Sequence, residues 1–92
     1  MAVKVIIPTP LRQYAEKNES VVVEGATVDE IMRNLMSLHV ELQKHLYTDD
    51  GKLRSFVNIY RNDEDIRYLE RGKTPVKETD VLSIVPSIAG GV

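Results

Sequence analysis

Two glycines stand one residue from the end of the chain, in Ser87-Ile88-Ala89-Gly90-Gly91-Val92. Glycine has no Cβ, so Ala89-Gly90-Gly91 can thread a channel too narrow for larger residues. A freed Gly91 carboxylate would be an unhindered acyl group on a flexible arm, suited to a protein whose own C-terminus reacts. Val92 holds the Gly91 carbonyl in an ordinary peptide bond, so that chemistry requires a cut between Gly91 and Val92. Fully extended, residues 87–91 span roughly 16–18 Å, enough to carry Gly91 off the globule into a partner's cleft. The plain alternative for such a segment is a frayed end.

The remaining chemistry-bearing residues form no catalytic set. His39 and His45 are six apart, off a common helical face, and read as structural helix residues rather than a metal pair. Asp49, Asp50, Asp63, Glu64 and Asp65 lack the spacing of a calcium-binding loop and read as turn residues. There is no Ser–His–Asp arrangement and no phosphate loop. Cysteine is absent altogether, which removes thiolate nucleophiles, Cys-ligated zinc and iron–sulfur clusters. No metal site and no bound cofactor are expected.

A chain of 92 residues with 42% hydrophobic and 28% charged residues is expected to form one globular domain, residues 1–86, with residues 87–92 as a flexible tail. A net charge of −2, with scattered Lys and Arg, gives no footprint for nucleic acid or an anionic membrane. The N-terminal residues read as a strand rather than a signal peptide, and no apolar run approaches a membrane span. A cytoplasmic location is the expectation.

The elements that must position the tail follow from periodicity. Val3-Lys4-Val5-Ile6-Ile7 is a β-branched run closed by Pro8-Thr9-Pro10. Residues 11–15 suggest a short helical turn. Ser20-Val21-Val22-Val23-Glu24 is a second strand, stopped at Gly25 and placed to form a hairpin with the first. Thr27 and Glu30 form a capping box, and Val28, Ile31, Met32, Leu35, Leu38 and Leu42 fall on one apolar stripe. The spacing predicts a helix over 28–38, a further short turn over 41–46, and a stop at Asp49-Asp50-Gly51. Phe56-Val57-Asn58-Ile59-Tyr60-Arg61 reads as a third strand, Ile66-Arg67-Tyr68-Leu69 as a fourth, and Val81-Leu82-Ser83-Ile84-Val85, ended by Pro86, as the fifth. One helix over one mixed sheet in the order β-β-α-β-β-β is an α+β two-layer domain.

That order is the β-grasp, or ubiquitin-like, fold. Three segments resemble the ThiS/MoaD family of sulfur carriers: the opening Val5-Ile6-Ile7-Pro8-Thr9-Pro10-Leu11-Arg12, the hairpin from Phe56 to Arg67, and the last strand and tail from Asp80 to Gly91. Phe56 to Arg67 is most similar to the mycobacterial carriers of cysteine biosynthesis. The resemblance implies a carrier, not an enzyme. A partner of the ubiquitin-activating type would adenylate Gly91 from ATP and install sulfur there as a thiocarboxylate. An acceptor such as a cysteine synthase would then take that sulfur. Because related carriers that act directly end on the second glycine, it also implies removal of Val92, for which a zinc-dependent peptidase is the family candidate. The molybdopterin synthase small subunit and the thiamin sulfur carrier are alternatives of the same class. A protein modifier joined to lysines through Gly91, or a β-grasp binding module that transfers nothing, are alternatives of another class. On the sheet, Ile59, Leu82 and Ile84 are the candidate docking residues for the activating partner.

Overall fold

The structure, a computed structural model, describes residues 2–86. Five strands form one mixed sheet: β1 (Ala2–Ile6), β2 (Ser20–Glu24), β3 (Val57–Arg61), β4 (Glu64–Asp65) and β5 (Val81–Pro86). Two helices, α1 (Val28–Leu38) and α2 (Glu41–Leu46), lie between β2 and β3 in the chain. The spatial order is β2-β1-β5-β3-β4.

In β1, Val3 and Val5 are buried while Lys4 points to solvent, the period-2 pattern of a half-buried strand. Pro8 ends the strand, and Thr9–Tyr14 winds as a 3-10 turn with proline in its first turn. Glu16 and Lys17 then take left-handed φ values of 55° and 64°, and β2 returns antiparallel with Val5 opposite Val21. Gly25 (φ +155°) leads from β2 into α1, and a Cβ there would lie 2.8 Å from Ile31 Cδ1. Only glycine fits that approach.

The capping box forms at the start of α1. Glu30 N–H donates to Thr27 Oγ1 at 3.3 Å, and the Glu30 carboxylate accepts from Ala26 N–H at 3.0 Å, so two otherwise orphaned donors are satisfied. Val28, Ile31, Met32, Leu35 and Met36 are buried. Leu38, expected on this stripe, is instead 59% exposed. The helix stops at His39, whose N–H donates to Leu35 O. The chain then turns, and Leu42 and Leu46 enter the core from α2. The stripe is thus divided between two helices, with Met36 buried on α1 and Leu38 exposed.

β5 is the central strand, parallel to β1 and antiparallel to β3. Parallel pairing of the first and last strands needs a crossover, which the helices supply. The core lies between the sheet's inner face and α1, with Val3, Val5, Leu35, Leu42 and Leu82 fully buried.

The expected fourth strand over 66–69 is corrected. β4 comprises only Glu64 and Asp65, and Ile66–Tyr68 is a 3-10 turn. Asp65 Oδ1 accepts the Arg67 backbone N–H at 2.9 Å while its other oxygen accepts Arg67 Nη2 at 2.7 Å. A side chain that captures the N–H two residues on turns the backbone out of the ladder. The third strand also begins one residue later than expected, leaving Phe56 outside it.

Candidate functional site

The tail is rooted in β5, whose last residue, Pro86, lies opposite Val57 of β3. Pro86 has no N–H to give, and it sits at the strand end, past the last β1–β5 pair at Ile6 and Ser83, where a proline costs no ladder bond. The residues expected to react or thread (Ala89, Gly90, Gly91 and Val92) lie outside the described residues, as does the proposed cut between the last two.

The surface around the root is defined by register. Ile6 pairs with Ser20 on one side and Ser83 on the other, and Ser83 pairs with Tyr60. A second row runs Val22–Lys4–Val81, and a third joins Val85 to Asn58. Cross-strand partners share a face, so Ile6, Tyr60, Val81 and Val85 stand together on the sheet's outer face. Ile6 and Val85 are 36% and 42% exposed. On this face Ile6, Tyr60, Val81 and Val85 stand among Lys4, Ser20, Asn58 and Ser83, and it includes the outer side of β5.

The docking expectation for Ile59, Leu82 and Ile84 is therefore corrected. They are only 2%, 0% and 2% exposed, because alternation sends 57 and 59, and 82 and 84, toward the helix. Tyr60 and Val85, one residue along from the expected ones, face outward. The sequence held two signals for this: Ser83 between Leu82 and Ile84, and Asn58 between Val57 and Ile59, are polar residues in apolar strands, which mark the solvent side.

Two polar clusters fix the strands that carry the face. Asn62 sits at φ 59°, donates from Nδ2 to Asp80 Oδ1 at 3.1 Å, and accepts from Val81 N–H at 3.0 Å. The Asn62 bond and the Lys77 backbone N–H hold the Asp80 carboxyl below the usual carboxylate range. Asp65 is likewise lowered, chiefly by its hydrogen bonds from the Arg67 side chain. Charge-assisted bonds to the ionised form act in this direction.

The histidines serve separate structural roles. His45 stacks on Tyr14 with ring centroids 4.0 Å apart, tying the 3-10 turn to α2, while His39 caps α1. On the helix side, Tyr47 lines a cleft of about 410 Å³ together with Asp29, Arg54 and Arg71. Burial, then the nearby Asp29 charge, pushes the Tyr47 hydroxyl up to about 12. Among the described residues, no group of three or more His, Asp or Glu side chains is placed to hold a metal ion. No helix among them is long and apolar enough to cross a membrane.

A five-stranded mixed sheet in this order, with a helix crossing its inner face, defines a β-grasp, ubiquitin-like protein. The ThiS family model matches residues 5–91, and the chain belongs to the ThiS family. It is 37% identical to the sulfur carrier protein CysO of Mycobacterium tuberculosis over 93 aligned residues, covering 99% of this chain and 100% of that one. Among solved structures it resembles the CysO chain of the Amycolatopsis orientalis BexX/CysO complex. There the TM-score is 0.86 at 42% identity, covering 98% of this chain and 100% of the other. It also resembles small archaeal modifier protein 1 of Methanosarcina acetivorans, with a TM-score of 0.88 at 26% identity over 98% and 96% of the two chains.

Proposed function

We propose that this chain is a sulfur carrier that acts through Gly91 after removal of Val92. The observation that carries the reading is the Gly90-Gly91 pair, with three residues between it and the end of the central strand in sequence, in a chain that the ThiS model matches through residue 91. Hydrolysis of the Gly91–Val92 peptide bond, by a zinc-dependent peptidase in this reading, frees the carboxylate. One carboxylate oxygen attacks the α-phosphorus of ATP held by an activating partner, and pyrophosphate leaves. The resulting acyl adenylate has a good leaving group, which the carboxylate lacked. Sulfide (HS−) then adds to the acyl carbon and AMP departs as the C–O bond breaks, leaving a terminal thiocarboxylate with no change of oxidation state. That soft nucleophile is delivered to an acceptor enzyme. The CysO relatives favour an acceptor of the cysteine synthase type over the molybdopterin or thiamin branches.

The outer-face patch of Ile6, Tyr60 and Val85 supports the reading as the surface for the activating partner, since it borders the tail's root. Intact-protein mass spectrometry of material from the native host tests the proposal. The expected species lacks one valine and carries sulfur in place of one oxygen. Recovery of only the full-length, oxygen-terminated chain under sulfur-demanding growth would sink it.

The likeness to a small archaeal modifier protein favours a second reading, in which Gly91 is joined to lysines of other proteins. Conjugates of higher mass that vanish in a Gly91→Ala variant would mark that role.

A further inference from the structure

The cleft beside Tyr47 holds an acid and a base that do not pair. Its floor is apolar, built from the buried side chains of Met32, Val57 and Ile66. Around the rim stand Asp29, Arg54, Asp65, Arg67 and Arg71. Asp65 and Arg67 satisfy each other through an ion pair of 2.7 Å. Arg54 is held by Nε and Nη2, which donate to Lys44 O at 3.3 and 3.0 Å, and its Nη1 has no partner among the described residues. The side chains of Asp29 and Arg71 are exposed and make no hydrogen bond or ion pair among the described residues.

Gly72 sets how close the two lie. A Cβ at that position would collide with the Asp29 carboxylate, so the residue that follows Arg71 in the chain lies directly against the acid. Arg71 takes a left-handed φ of 53°, a conformation disfavoured for a residue with a Cβ. The same carboxylate acts on Tyr47. Burial, then the Asp29 charge, raises that hydroxyl to about 12, so it keeps its proton at neutral pH and remains a donor. It makes no hydrogen bond among the described residues.

We propose that this cleft binds a free α-amino acid with an apolar side chain. The ligand's carboxylate takes Arg71 and the free Nη1 of Arg54, with the Tyr47 hydroxyl as a further donor. Its ammonium takes Asp29, and its side chain lies on Met32, Val57 and Ile66. Charge complementarity selects this class. A simple anion would meet the Asp29 carboxylate, and a simple cation would meet the two arginines. A zwitterion satisfies both signs at once. The interior of a peptide chain has neither charged terminus, so a partner's segment would leave Asp29 and Arg71 unanswered. A direct Asp29–Arg71 pair is the competing arrangement, but exposed pairs of that kind are worth little, and a ligand displaces it readily. The cleft's volume of about 410 Å³ falls near the lower end of small-molecule sites, roughly 300–1,000 Å³.

The test is titration of the isotope-labelled full chain with L-leucine, read by amide and guanidinium shifts. With about nine non-hydrogen atoms, leucine should bind in the millimolar range. Shifts are expected at Asp29, Tyr47, Arg54, Arg71 and Gly72. N-acetyl-L-leucine, which lacks the ammonium, and L-leucinamide, which lacks the carboxylate, should each bind about tenfold more weakly. Asp29→Asn should weaken leucine by a similar factor while leaving N-acetyl-L-leucine unaffected. Arg71→Asn, which tolerates the left-handed backbone, should weaken leucine while leaving L-leucinamide unaffected. Unchanged amide exchange at Leu82 in both variants shows an intact fold. The proposal is overturned by an absence of shifts at about 10 mM leucine, by shifts centred on Tyr60 and Val85 instead, or by variants that bind leucine as wild type does. Doubly blocked N-acetyl-L-leucinamide binding as tightly as leucine would also overturn it, and would mark a groove for a peptide chain.

Discussion

Asn62 and Asp80, 18 residues apart in sequence, are joined by a 3.1 Å hydrogen bond, and the same asparagine accepts the first N–H of β5. The bond locks the β3–β4 turn to the start of the strand that carries the tail. Asn62 thus does two jobs: it occupies a left-handed backbone position and ties two strands at their common end.

Replacing Asn62 with alanine removes both side-chain bonds and forces a Cβ-bearing residue without compensation into φ 59°. The expected loss is about 2 kcal/mol, combining a lost hydrogen-bond pair with backbone strain. Asn62→Gly relieves the strain but not the bonds, so it should fall between wild type and Asn62→Ala in urea denaturation. Equal stability of the two variants would show that the side-chain bonds carry the whole effect.

Acid should unfold the domain through Asp65 and Asp80. Both carboxyls are held below their usual range in the folded protein. A folded-state pKa below the unfolded value of about 3.9 means the stabilisation is complete above that value and fades as pH falls through it. The melting temperature should therefore drop steeply below about pH 4. Asp65→Asn and Asp80→Asn should each be less stable at neutral pH and show a flatter acid limb. An acid limb parallel to wild type in both variants would point to other carboxylates.

Tyr47 should act at the opposite end of the scale. Its hydroxyl is raised to about 12, so the folded state holds this proton more tightly than the unfolded chain, where the value is about 10. Its contribution is present below pH 10 and lost as pH rises from there toward 12. Tyr47→Phe should lack that alkaline loss, and ultraviolet titration of phenolate absorbance should show one fewer late-ionising tyrosine.

Much of the fold was legible because its signals are local. The capping box at Thr27 and Glu30 and the β-branched runs of β1 and β2 each depend on residues a few positions apart. The stop expected at Asp49-Asp50-Gly51 falls earlier, α2 ending at Leu46 with Tyr47 extended behind it. The errors arose where tertiary context decided. Leu38 fits the helical stripe in sequence, but the helix ends at His39, and Leu42 reaches the core from α2. Ile66 and Leu69 suggest a strand, yet the Asp65 side chain takes the Arg67 N–H and turns the chain. The inner and outer faces of β3 and β5 were the costliest ambiguity, since apolar residues occupy both and only Asn58 and Ser83 mark the difference. The proposed reactive end rests on sequence alone, on Gly90 and Gly91, which lie outside the described residues.

The two faces of the central strands should separate stability from partner binding. Leu82→Ala leaves a cavity in a fully buried position and should cost about 3 kcal/mol. Val85→Asp, on the exposed face, should change stability by no more than about 0.5 kcal/mol. In a reconstituted reaction with the activating partner, however, Val85→Asp and Tyr60→Ala should each slow thiocarboxylate formation on the order of tenfold, with the loss in KM for the carrier. Unchanged kinetics in both outer-face variants would move the docking surface elsewhere.

At the terminus, Val92 is the decisive residue. A chain ending at Gly91 should enter the adenylation step directly, as read by ATP–pyrophosphate exchange, whereas the full-length chain should be inert until the peptidase acts. In the shortened chain, Gly90→Val should lower the exchange rate on the order of 100-fold, because a branched side chain displaces the acyl carbon within a narrow channel. The substitution lies beyond the last strand, so the thermal unfolding curve should be unchanged, which separates a threading defect from a folding one. If the full-length chain supports exchange as fast as the shortened chain, Val92 does not mask the reactive group, and the carboxylate that reacts is not that of Gly91.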